Sequence, residues 1–415
     1  MNFRESAEKI SDDLVALRRS LHREPELGLH LPKTQAAVLE ALAGLPLEIT
    51  TGRTLSSVVA VLRGDRKERG GGSILAPEDA DQHRRPGPAV LLRGDMDALP
   101  VTEQTGLDFA STIPGAMHAC GHDLHTAILV GAARLLSAVR DELAGDVIFM
   151  FQPGEEGPGG AQPMLAEGVL SAAGDPPVAA YCLHVSAVFR RGMFFGRRGV
   201  FGAAHDTCKV RVRGKGGHGS TPFRARDPIP AACEMVLALQ TMVTRGFDVF
   251  DPVVLTVGRF HAGTVDNVIP ATADFAASLR SFSNPAREKM IRRTTEVVEG
   301  IAGAHGLEVD VELERGYPAV VNDVGEAEFA AATAAEVFGD QRYQWLENPK
   351  TGSEDMSFVL EKVPGAYLNL GACPPDRDPM TAPTNHSADA LFDDAVVADG
   401  SAFFAELAFR RLERG

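Results

Sequence analysis

The stretch AVLLRGDMDALP, residues 89–100, opens on the apolar run 89–92, is closed by Gly94, and places Asp95 and Asp97 directly behind the run. A short apolar run bounded by a breaker describes a buried strand. Residues 124–136 then carry apolar side chains at helical spacing. Residues 146–151 form a second apolar run, stopped by Pro153 and Gly154, and residues 178–183 form a third. Buried strands alternating with helical segments predict βαβ units. The fold class expected is α/β, with a mainly parallel sheet and helices on both faces.

From about His205 the pattern restarts. A strand over 207–212 leads into GKGGHGS, followed by a helix over 228–244, strands over 253–260 and 273–282, a helix over 285–305 and a strand over 308–313. This order describes a smaller α+β unit with an antiparallel sheet. After Tyr317 the chain returns to helix and strand segments and ends in an amphipathic helix over 396–412. The simplest division is a discontinuous catalytic domain, residues 1–200 and 315–415, interrupted by a domain at 201–314. Residues 66–88, rich in glycine, proline and charge, are expected to be a surface insertion; no role is assigned to them.

The composition excludes several classes of function. A chain of 415 residues is too long for one ordinary core. Its net charge of −15 repels phosphate backbones, so no nucleic-acid partner is expected. No apolar stretch reaches the 18 or so residues of a membrane span, so no membrane partner is expected either. The N-terminal stretch MNFRESAEKISDDLVALRRSLHREPELG has an amphipathic helical pattern without a secretory apolar core. Five scattered cysteines, an odd number, suggest reduced thiols and a cytoplasmic location.

The densest chemistry lies in His118-Ala-Cys120-Gly-His122-Asp123-Leu-His125. A thiol, three imidazoles and a carboxylate are the side chains that bind metals. Cys120 and His122 sit at the start of the expected helix, whose positive end favours a thiolate. Next comes Phe151-Gln-Pro-Gly-Glu155-Glu156-Gly, directly behind the second strand. Two adjacent carboxylates there can divide labour, one binding metal and one acting as general base on a water. His184 is expected at the end of the third strand, and Asn385-His386-Ser lies near the C-terminus. Active groups gather beyond the carboxyl ends of parallel strands, which unites these pieces.

Together with LHREPELG (21–28), RGDMDALP, HACGHDLHT, FQPGEEG, GKGGHGSTP, NVIP (267–270) and TGSEDMSF, the chain resembles the metal-dependent aminoacylase and carboxypeptidase superfamily. It is most similar to the branch of hippurate hydrolases, N-acyl-amino-acid amidohydrolases and indole-acetyl-amino-acid hydrolases. The resemblance implies a two-metal hydrolase of small N-acyl amino acids whose inserted domain is a lid that also forms a homodimer. It implies that Cys120 bridges the metals, that His122, His184, Glu156 and His386 complete the ligand set, and that Glu155 is the general base. It implies His218 as an oxyanion donor reaching the partner subunit's site, and Asn267 and Arg280 as holders of the substrate carboxylate. Asp95 and Asp97 become groups that orient the ligands. The mixed donor set suits two divalent ions, manganese or zinc foremost, with cobalt or nickel also compatible. One departure stands out: relatives continue the last histidine into His-Ser-Pro or His-His-Pro, whereas this chain has Asn385-His386-Ser387-Ala388.

Two rival readings come from other classes. Cys120 could be a covalent nucleophile activated by a nearby histidine. The chain could instead be a non-catalytic binding protein on the same fold.

Overall fold

A computed structural model describes residues 2–66 and 87–414. The insertion expected at 66–88 therefore lies, but for its ends, outside the described residues. By contact density the chain divides into two units: Met1–Gly199, Val321–Glu347 and Phe358–Gly415 form the larger, and Val200–Val320 with Asn348–Ser357 form the smaller. The chain thus enters the smaller unit twice, where the sequence pattern suggests a single insertion.

The larger unit is built on an eight-stranded sheet. From edge to edge its strands are Leu47–Thr51, Val58–Leu62, Asp146–Gln152, Ala89–Asp95, Ala179–Arg190, Gly365–Cys373, Phe194–Gly196 and Tyr343–Trp345. The four central strands are all parallel to one another. Antiparallel pairs occur toward the two edges. Ala89–Asp95, Asp146–Gln152 and Gly365–Cys373 are buried at every position, which is why 89–92 and 146–151 read as unbroken apolar runs rather than alternating ones.

Helix His122–Ser137 is buried on almost all sides and packs against Val396–Leu412 and Ser11–Arg23. Glycine in a helix interior normally costs about 1 kcal/mol relative to alanine. At Gly131 it lets the C-terminal helix approach closely, since a Cβ there would stand 2.1 Å from Ser401 Oγ. The N-terminal amphipathic pattern resolves into two helices, Phe3–Lys9 and Ser11–Arg23.

The smaller unit is a four-stranded antiparallel sheet in the order Val253–Ala262, Thr272–Ser281, Ala204–Arg213, Glu308–Arg315. Burial alternates residue by residue along Thr272–Ser281 and Ala204–Arg213, so one face carries the core. Val210, Phe275 and Leu279 of that face meet Met235 and Leu239 of helix Pro228–Gly246 and Met290 and Val298 of helix Asn284–Ala304. Both helices start on a capped turn with proline in the first two positions, Asp227 accepting from Ile229 N–H and Ser283 from Ala286 N–H. Among the described residues no helix is long and apolar enough to cross a membrane.

Candidate metal centre

Gly121 adopts φ 84°, a left-handed turn, immediately before helix His122–Ser137. A Cβ there would meet Val185 Cγ2 at 2.4 Å. Glycine thus allows the turn carrying Cys120 to lie against the strand that carries His184. Cys120 Sγ stands 3.4 Å from His184 Nε2. The other ring nitrogen, Nδ1, is 2.7 Å from the Val185 carbonyl, which can only accept, so it must carry the proton. Nε2 therefore presents its lone pair, as a metal ligand must.

Among the groups of candidate ligands with donor atoms within 4.8 Å of one another are Cys120, His122 and His184; Cys120, Glu156 and His386; and His122, Glu155 and Glu156. Cys120 is common to the first two, which suits a thiolate shared between two ions. His386 Nε2 lies 3.1 Å from Glu156 Oε1. Its backbone has φ 72°, the one non-glycine positive φ among the described residues. Its N–H is anchored on the Ala119 carbonyl at 2.8 Å.

The charges at the site suit a cation. Asp95, Asp97, Glu155 and Glu156 gather in one largely buried region, where Arg93 pairs with Asp95 and His122 stands near Asp95, Asp97 and Glu156. Burial opposes ionisation of Asp95, yet Arg93, His122 and His125 outweigh it and hold its carboxyl well below the usual range. Burial likewise opposes protonation of His122, and the Asp95 charge and Asp97 override it, raising that imidazole well above its ordinary value. Even so, neither ring nitrogen of His122 has a hydrogen-bond partner among the described residues, although Asp97 and Asp95 oxygens stand 3.4 and 3.5 Å away. An orphaned imidazole among carboxylates and a thiol fits divalent metal ions.

The same environment weighs against Cys120 as a nucleophile. Burial, then the Glu156 carboxylate, pushes its thiol up to about 12. A nucleophilic thiol needs the opposite shift. The helix start expected to favour the thiolate is outweighed by burial.

Supporting groups complete the site. Asp97 receives the backbone N–H groups of Glu155 and Glu156, fixing the acidic turn. His125 hydrogen-bonds Asp95 through Nδ1 and accepts Val185 N–H on Nε2 at 2.8 Å. Both its nitrogens are thereby engaged, so this third imidazole of the sequence cluster braces the site. His118 is buried and pushed down to about 3 by burial, so it is neutral. His184 sits in the middle of strand Ala179–Arg190, not at its end, because Val185 and Ser186 continue the pairing with Gly365–Cys373.

Three expected site residues lie in the smaller unit. His218 is exposed and pairs antiparallel with Val268, while Gly219 N–H donates to the Asn267 carbonyl, so His218 and Asn267 are neighbours. Ser220 N–H and Oγ sit 3.1 and 2.8 Å from His218 Nδ1. Arg280, half-buried on strand Thr272–Ser281, donates to Ser353 Oγ at 3.1 Å.

Sequence patterns missed two sets of groups. Asn385 binds the Cys120 turn and the His184 strand at once. Arg18 and His22 grip Asp123, the residue after ligand candidate His122, at 2.7 Å each. The only signal for either was proximity: Asn385 adjoins His386, and His22 lies in LHREPELG.

The model of peptidase family M20/M25/M40 matches residues 91–410. The chain belongs to that family. It is 34% identical over 412 residues to thermostable carboxypeptidase 1 of Saccharolobus solfataricus, covering 97% of this chain and 96% of that one. It is 34% identical over 401 residues to N-acetylcysteine deacetylase of Bacillus subtilis, covering 96% and 97%. A crystal structure from Bacillus subtilis, the YXEP protein, described as a dinuclear metal binding peptidase of the M20 family, superposes with TM-score 0.79 at 31% identity, covering 98% of this chain and 99% of that one. The protein is a metal-dependent amidohydrolase.

Proposed function

We propose that this enzyme hydrolyses the amide bond of N-acyl amino acids at a pair of divalent metal ions. The observation that carries the reading is Cys120, shared between the His122–His184 group and the Glu156–His386 group. The relatives named for a carboxypeptidase and an N-acetylcysteine deacetylase both break a bond between a carbonyl and an amino-acid nitrogen, which supports that substrate class.

Cys120, His122, His184, Glu156 and His386 would hold the ions, which supply Lewis acidity and lower the pKa of water at the site. Glu155 takes the proton of the attacking water and returns it to the leaving nitrogen. Its place is set by Asp97, which holds its backbone N–H. Arg280 binds the substrate carboxylate: among the described residues it pairs with no acid, and burial lowers its pKa, leaving a partly desolvated cation suited to an incoming anion. Asn267 assists, and His218 donates to the developing oxyanion.

The smaller unit serves as lid and homodimer interface. Its edge strand Val253–Ala262 and its exposed Leu237, Val249 and Phe250 support that role. Five free cysteines support a reducing, cytoplasmic compartment.

A panel of N-acyl amino acids, assayed after demetallation and after adding back manganese, zinc, cobalt or nickel, tests the proposal. Hydrolysis is expected only with metal, and chelation is expected to abolish it. Full activity in exhaustively demetallated protein would overturn the two-metal reading.

A further inference from the structure

Asn385 occupies an unusual position beside the metal centre. Its Oδ1 accepts the Ala187 N–H at 2.9 Å. Its Nδ2 donates to the Val185 carbonyl at 3.1 Å and to the Cys120 carbonyl at 3.3 Å, and stands 3.7 Å from Cys120 Sγ. One amide therefore ties together the strand after His184, the turn bearing Cys120 and the loop bearing His386. The next residue, His386, has its left-handed backbone anchored on Ala119, so two consecutive residues clasp the same turn. A left-handed non-glycine residue persists only where its surroundings hold it. No proline follows His386 to stiffen the loop, since the chain continues as Ser387-Ala388.

We infer that Asn385 is a positioning residue that sets the spacing of Cys120, His184 and His386 and directs an N–H toward the Cys120 sulfur, so that it governs how tightly the chain retains its metal ions. This rests on the ligand roles proposed above. The two carbonyl contacts keep the amide from rotating away, so the turn bearing Cys120 is held against the strand that follows His184. The side chain therefore influences ligand geometry without being a ligand.

The test uses the full-length protein loaded with cobalt(II), comparing wild type with Asn385→Asp and Asn385→Ala. Asp keeps the shape but turns an oxygen toward two carbonyls and a sulfur; Ala removes every contact. Cobalt loss to a chelator is expected to accelerate at least tenfold in both variants, with a shifted thiolate-to-cobalt absorption band. The melting temperature of the metal-free variants is expected to match that of the metal-free wild type. If one variant does not fold, the other decides. Chelation rates and band position equal to wild type in a folded variant would overturn the inference. So would equal losses of melting temperature with and without metal in every folded variant, which mark a purely structural role. If wild type itself shows no thiolate-to-cobalt band, the ligand assignment of Cys120 fails, and the inference falls with it.

Discussion

Asp97 pins one turn with both carboxylate oxygens: Oδ1 accepts Glu155 N–H and Oδ2 accepts Glu156 N–H, each at 3.0 Å. Asparagine keeps only one acceptor oxygen and would point an amine at the second donor. Asp97→Asn is therefore expected to cost about 10–100-fold in metal affinity or kcat, with little change in secondary structure. Metal titration with steady-state kinetics reads this, and an unaltered enzyme would show that the turn holds itself.

The two neighbours on that turn should respond differently. Glu155→Gln keeps size and loses basicity, so kcat is expected to fall roughly 10²–10⁴-fold while metal content stays near normal. Glu156→Gln is expected to lower metal occupancy, because its oxygen lies beside His386. Elemental analysis with the reverse pattern would exchange the two roles.

Arg18 and Asp123 form a fully buried ion pair 2.7 Å apart. Arg18→Met leaves the Asp123 carboxylate buried with only His22 against it. A loss of about 3–5 kcal/mol in unfolding free energy is expected by chemical denaturation. A loss below about 1 kcal/mol would mean that His22 alone can balance that charge.

Acid should weaken the same region. Burial favours the neutral form of Glu103, but hydrogen bonds from His22, Thr105 and the Ser111 N–H prevail and bring it down to about 2 from 4.5. A depressed carboxyl contributes stability above its unfolded value, and that contribution disappears as pH falls through the folded one. The stability gap between wild type and Glu103→Gln is therefore expected to narrow as pH falls between about 4.5 and 2. Equilibrium unfolding of both proteins over that window checks it; a gap that holds steady to pH 2 refutes the assignment.

His218 is expected to serve the active site of a partner subunit. Co-expressed His218→Ala and Glu155→Gln chains should regain activity in the purified heterodimer, because one site then combines an intact Glu155 with the partner's intact histidine. A heterodimer as inactive as both parents rules out the cross-subunit role.

Long buried elements were legible because their apolar spacing has no competing explanation: the helix expected over 396–412 is Val396–Leu412, and the run at 146–151 is Asp146–Gln152. His184 misled because an imidazole after an apolar run looks like a strand exit, although the strand continues through it. Spacing could not tell the three imidazoles His118, His122 and His125 apart, because it shows proximity but not which nitrogen is already bonded. The contacts that brace the site were invisible for a plainer reason. Asn385 meets Cys120 across 265 positions, and Arg18 meets Asp394 across 376, distances at which local pattern carries no information.

The left-handed backbone of His386 also narrows what natural variation can place there. Among side chains able to bind a metal, histidine and aspartate tolerate that conformation far better than cysteine or glutamate, whose frequencies there are low. A lineage exchanging its metal for a softer one could not recruit a second thiolate at this corner without first rebuilding the loop. The backbone at one position thus limits the inorganic chemistry open to the descendants of this enzyme.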